Sequence, residues 1–168
     1  MLTLIQVIQQ FFKYLNSNES VTNLATSMTF AIGGCLVPFN SLFHPLLVVV
    51  LILLRGNVFI FIFSVGIFKY FISLTYPILH VIGENILTKP SLNPIFTDLY
   101  QLPMVNFLNW NNTVSMGGYL LFLVGLIPMF YIFKKLISLY RTYFATKRFN
   151  SKKWMGLNFL NWFIKGSR

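Results

Sequence analysis

From Ser20 to Gly83 the chain carries no Asp or Glu, and its Lys and Arg residues there are Arg55 and Lys69 alone. A stretch so poor in charge cannot give each of its elements a wetted face, so lipid or other protein must cover it. In lipid every backbone N–H and C=O has to be satisfied internally, which favours helices. Composition agrees. The 168 residues are 56% hydrophobic and 18% aromatic, with 19 Phe and a mean hydropathy of +0.69. Charged residues make up 10%, against about 25% in soluble domains. These features predict an all-α integral membrane protein.

The order of apolar runs predicts the threading. Residues 1–16 are too short and too interrupted, by Gln6, Gln9, Gln10 and Lys13, to cross a bilayer. They read as an amphipathic helix in the interface, with no cleavage site after it to suggest a leader. Residues 21–54 hold a small-residue run with Gly33 and Gly34, a stop at Pro38, the polar tip "PFNSLFHP" and a second short apolar run. Fourteen helical residues reach about 21 Å, short of a ~30 Å hydrocarbon core. A re-entrant hairpin or short helix pair is therefore expected, with two tilted full spans as the alternative. Arg55-Gly56-Asn57 reads as the turn that follows.

Residues 58–82 form the best single span, with Lys69 as its formal charge and a kink expected at Pro77. Residues 83–112 read as a Pro-rich periplasmic loop, in which Asp98 could cap a short helix. Residues 113–133 form a second firm span, on which Ser115, Gly118 and Gly125 share a face suited to close packing. The membrane domain thus covers 1–141, and 134–168 form a basic amphipathic tail on the cytoplasmic leaflet. Nine of the 13 Lys and Arg residues lie in 134–168, whereas the loop has one. That bias places both termini and Arg55 in the cytoplasm. The aromatic and apolar content of the tail points to anionic lipid rather than nucleic acid.

Candidate chemistry concentrates after Arg55. Gly66, Lys69, Ser73, Tyr76, His80 and Glu84 recur at three- and four-residue steps, one face of a continuous helix. An intramembrane Lys costs roughly 2.5–3.5 kcal/mol and usually meets a partner or a wet cavity. Its open partners are hairpin-tip carbonyls, Tyr side chains, a lipid phosphate or another subunit. His80 and Glu84 alone are a poor metal set, even with His44 added, so neither metal nor cofactor is expected. The lone Cys35 reads as a packed small residue. No nucleophile, base and orienting group stand out, so enzyme activity is not expected. Asn and Thr in "NWNNTVSMGG" suit a helix cap, which does not account for three Asn in four positions.

Three segments, "NSNESVTNLATSMTFAIGGCLVPFNSL", "LLRGNVFIFIFSVGIFKYFISLTYPILHVIGENIL" and "FLNWNNTVSMGG", resemble a family of uncharacterised proteobacterial inner-membrane proteins. The marks are Gly33, Gly34 and Pro38, then Arg55 and Asn57, then Pro77, His80 and Gly83, and finally Asn111, Asn112, Thr113, Gly117 and Gly118. Members of that family are typically encoded beside large periplasmic AsmA-like proteins implicated in phospholipid movement. The resemblance implies a non-enzymatic inner-membrane subunit of an envelope phospholipid-transport complex. Lys69, Ser73, Tyr76, His80, Glu84, Arg55 and Asn57 would then meet phospholipid or the partner. The alternatives are a homo-oligomeric small-solute or ion transporter and a purely structural anchor.

Overall fold

The computed structural model describes residues 18–146 apart from 103, together with Phe11, Tyr14 and Leu15. Among the described residues the chain is helical and contains no strand. Six α-helices follow in order: α1 (Val21–Leu36), α2 (Phe43–Leu53), α3 (Val58–Ser73), α4 (Tyr76–Leu87), α5 (Asn93–Tyr100) and α6 (Thr113–Thr146). Short 3-10 turns, Pro90–Leu92 and Val105–Leu108, flank α5.

The central helix is α1, buried along most of its length. Ser20 opens it by accepting the Asn23 N–H at 3.0 Å. The hydroxyls of Thr26, Ser27 and Thr29 donate to the carbonyls of Thr22, Asn23 and Ala25. Its polar side chains are thereby satisfied within the helix, which lets them be buried. α6 runs antiparallel beside it: Leu24 shares a core cluster with Ile137, Gly33 lies on the Phe122 ring, and the Leu36 carbonyl lies on Gly118. α3 runs parallel to α1, with Asn57 beside Ser27 and the Val65 carbonyl beside the Cys35 thiol. α2 descends between the tip of α1 and the start of α3.

The pair α1–α2 is a short helix pair, and its tip reaches the N-terminal end of α6. Leu42 N donates to Phe107 O at 2.8 Å, Ser41 Oγ to Leu108 O at 3.0 Å, and Asn109 Nδ2 to Asn40 O at 2.9 Å. At the opposite end, α2 closes with Arg55 N on Ile52 O and Gly56 N on Leu51 O, the Schellman pattern. Arg55 stands at φ 58°, in the left-handed position usually given to Gly.

The expected single helix over 58–82 is corrected. It breaks after Ser73, and α4 leaves at 78° to α3. Pro77 sits in the first turn of α4, where a missing N–H costs nothing, so it starts a helix rather than kinking one. The boundary at 133 is corrected too. α6 continues from Thr113 through Pro128 to Thr146, so the first part of the expected tail extends the same helix. Residues 113–142 are the one described segment long and apolar enough to cross a membrane. α3 and α4 pass the same test only if the two bent arms count together.

α4 lies across the start of α6 in backbone contact. A methyl group on Gly83 would overlap the Thr113 carbonyl, and one on Gly117 would overlap the Leu79 carbonyl. Gly118, the next residue, serves α1 instead. Of the face expected from Ser115, Gly118 and Gly125, only the first two are at helix contacts. Gly125 meets nothing nearer than its own neighbour Met129. Asp98 lies inside α5 rather than at its cap. The expected N-terminal helix lies largely outside the described residues, yet Phe11 and Leu15 are buried with Leu24, Ile60 and Ile137. Residues 147–168, the remainder of the expected tail, lie outside the description.

Candidate functional site

A helix leaves its last four carbonyls without intrahelical partners, and a buried helix end must find them elsewhere. Pro38 stops α1 in the interior, so the carbonyls of Gly34, Cys35, Leu36 and Val37 face that problem together. Side chains from α2, α3 and α4 meet three of them, and α6 packs against the fourth. His44 Nε2, at the start of α2, donates to Gly34 O at 2.9 Å. Lys69 Nζ, on α3, donates to Cys35 O and Val37 O, each at 3.0 Å. Tyr76 Oη, opening α4, donates to Cys35 O at 3.4 Å. Leu36 O lies against the Gly118 backbone of α6.

The ammonium also sits over two rings, 4.4 Å from the centroid of Phe39 and 5.3 Å from that of Tyr76. The balance of energies is favourable. Two hydrogen bonds from a charged donor contribute about 1.5–3 kcal/mol each, which outweighs an insertion cost of roughly 2.5–3.5 kcal/mol. The helix C-terminus adds about 0.3–1 kcal/mol for a cation, and each ring face about 0.5–1. Lys69 therefore belongs where it is without a carboxylate. It remains half-buried, beside the Phe39 side chain, which is 60% exposed.

The break at Leu74 and Thr75 divides the face that the spacing predicts. Lys69 and Tyr76 meet at Cys35 O, whereas His80 and Glu84 lie on α4 at its crossing with α6. Ser73 Oγ donates to its own helix, at Tyr70 O, and Gly66 faces open space. His80 Nδ1 is within hydrogen-bonding distance of Thr113 Oγ1, and its Nε2 is 3.9 Å from Glu84 Oε2. A hydroxyl, an imidazole and a carboxylate thus stand in sequence, a grouping invisible in the linear chain. The adjacent N–H groups of Val114 and Ser115 are held by Asn112 Oδ1, so they are not available to stabilise an oxyanion. The grouping acts as a latch between α4 and α6. His44, committed to α1, does not join it.

The remaining candidates are structural joints. Asn57 caps α3 through Oδ1, accepting from Ile60 N at 3.0 Å, while its Nδ2 donates to Glu19 Oε1 at 2.6 Å. Its backbone N–H donates to Ser27 Oγ at 2.7 Å. Asn112 caps α6. Asn109 occupies a left-handed turn at φ 54° and ties the loop to Asn40. Nothing in the structure explains the exposed Asn111. Gly33 is required by the Phe122 ring; at Gly34 there is room for a methyl group, and its carbonyl is what the fold uses.

Sequence reasoning missed Arg141 and Ser41. Arg141 donates from Nε to Leu15 O and from Nη1 to Glu19 O, both at 2.8 Å, repeating the cation-on-carbonyl device at the other end of the molecule. Ser41 gathers Leu108 O, Tyr119 Oη and Phe43 N around one hydroxyl. Its place between two prolines marks a turn, but its distant partners leave no local signal.

The chain is similar to an uncharacterized protein of Treponema pallidum (strain Nichols), 26% identical over 144 residues, which cover 86% of this chain and 89% of that protein. No family model matches, and no solved structure matches. The similarity spans nearly the whole length of both proteins.

Proposed function

We propose that this chain is a non-enzymatic, multi-pass subunit of a bacterial inner membrane that supports phospholipid movement across the envelope. In this reading α1, α2, α3 and α6 lie in the bilayer, both termini are cytoplasmic, and α4 and α5 form the outer end. A large periplasmic AsmA-like protein is the partner, on the strength of the resemblance stated above. Phospholipid enters at the Lys69 face.

The observation that carries the reading is the Lys69 ammonium. Two of its three N–H groups are accounted for by carbonyls, and it lies half-buried between side chains that face outward. A headgroup phosphate supplies an acceptor for the third N–H. The outward side chains of α2 and α6, among them Val49, Leu53, Leu123 and Ile127, offer apolar surface to acyl chains.

Purification of the tagged chain from its own membranes in mild detergent tests the proposal. A stoichiometric large periplasmic protein with retained phospholipid is expected. Lys69→Ala should lower the phospholipid retained per chain. Gly125→Ala, which alters no charge and lies on α6 against its own neighbour Met129, should leave it unchanged. A homo-oligomer with neither partner nor lipid would overturn the subunit reading in favour of a transporter.

A further inference from the structure

Two backbone carbonyls converging at the end of a helix stopped by proline, with two aromatic faces beside them, offer the oxygen and ring ligands that suit a small monovalent cation. The position such an ion would take is occupied by the Lys69 ammonium, 3.0 Å from Cys35 O and Val37 O and 4.4 Å from the Phe39 centroid. His44 takes the preceding carbonyl, Gly34 O, which stands apart from the two that Lys69 holds. The Lys69 stem is anchored on α3, so the charge arrives tethered and at fixed stoichiometry. We infer that the C-terminal end of α1 is a latent monovalent-cation site in which Lys69 serves as a built-in substitute for the ion.

The geometry distinguishes this role from simple space filling. An apolar side chain at 69 would leave Val37 O without its donor and Cys35 O with only the longer bond from Tyr76 Oη, a penalty that volume alone does not remove. A free ion, in contrast, can supply charge to both oxygens once the stem is gone. Lys69→Ala should therefore make closure of the α1 end depend on a small cation, whereas the parent chain is indifferent to it. The inference does not rest on a lipid at Lys69, since it concerns the two N–H groups that face the carbonyls.

Cys35 reports on this end of the helix. It is the sole cysteine of the chain, its side chain is fully buried, and its own carbonyl accepts from Lys69. Its alkylation by N-ethylmaleimide in isolated membranes measures local opening. The parent chain should label slowly in sodium, potassium, methylammonium or N-methyl-D-glucamine chloride at equal ionic strength. Lys69→Ala should label at least about tenfold faster in the bulky glucamine salt, and one or more of the small cations should restore slow labelling in a saturable manner. Lys69→Met, which fills the space without charge, should label fast in every salt. Slow labelling of Lys69→Met would overturn the inference, because position 69 would then need only volume. Equal labelling of Lys69→Ala in all four salts would overturn it as well. So would failure of that variant to accumulate even in cells grown with high sodium, since the ion is predicted to take the place of the side chain.

Discussion

Arg55 illustrates how a single residue can serve two demands that conflict. It ends α2 in the left-handed conformation, where a Cβ costs roughly 1–2 kcal/mol and Gly is the usual choice. The gain, in the orientation proposed above, is a cation at the end of the molecule that also carries Lys134, Lys135 and Arg141, where basic residues would favour the cytoplasmic side. Arg55→Gly should therefore raise the thermal stability of the purified chain, by about 1 kcal/mol, in a melting experiment. Arg55→Val should lower it by at least as much. An unchanged Tm in both variants would show that the turn relaxes freely. The turn itself was legible, because Arg-Gly-Asn interrupts two apolar runs. The left-handed angle was not, because Gly56 next to it is the residue that spacing would nominate. Lys69 was equally half-legible: an isolated charge in an apolar run announces a partner, and hairpin carbonyls were among those expected. Which carbonyls depends on how α1 and α3 are registered against each other.

At the scale of elements, the 78° break between α3 and α4 decides what the outer end looks like. Hydropathy alone joins the two helices, since Leu74 and Thr75 do not interrupt the apolar run and Pro77 suits a kink as well as a start. Tertiary contact settles it, with α4 drawn across α6 so that Gly83 meets the Thr113 carbonyl and Gly117 the Leu79 carbonyl. Gly83→Ala and Gly117→Ala should each destabilise the fold by about 1–3 kcal/mol, the usual cost of overpacking. Gly125→Ala, which has no neighbouring helix to strike, should be neutral or slightly stabilising, since Ala favours helix by about 1 kcal/mol over Gly. Urea or thermal denaturation of the three variants checks this, and equal losses at all three sites would refute the crossing. The small-residue face of α6 was legible as a face. Which glycine meets which helix was not, because Gly117 and Gly118 point about 100° apart and serve different neighbours.

For the molecule as a whole, the two ends are built differently. Glu19, Asn57 and Arg141 gather at one end, close to Arg55, and the tip of α1–α2, the 107–109 turn and α4 gather at the other. Basic residues of the described chain concentrate at the first end, with Lys69 and Lys89 toward the second. A single cysteine introduced at Asn111 in a Cys35→Ser background should react with a membrane-impermeant maleimide in intact cells. One at Lys135 should react only after permeabilisation. The reverse pattern would invert the orientation proposed above. Composition foretold the helical class, because a chain with so few charges has little choice. The joining of the tip to the loop lay beyond it, since Asn40, Ser41 and Leu42 meet residues more than sixty positions away. That joint has a mechanical meaning. The strand of chain from Phe107 to Asn109 grips the tip by three hydrogen bonds, and the tip is the end of α1. Anything that pulls on that loop therefore works as a lever on the carbonyls that Lys69 holds, and the harness runs straight from the surface to the half-buried charge.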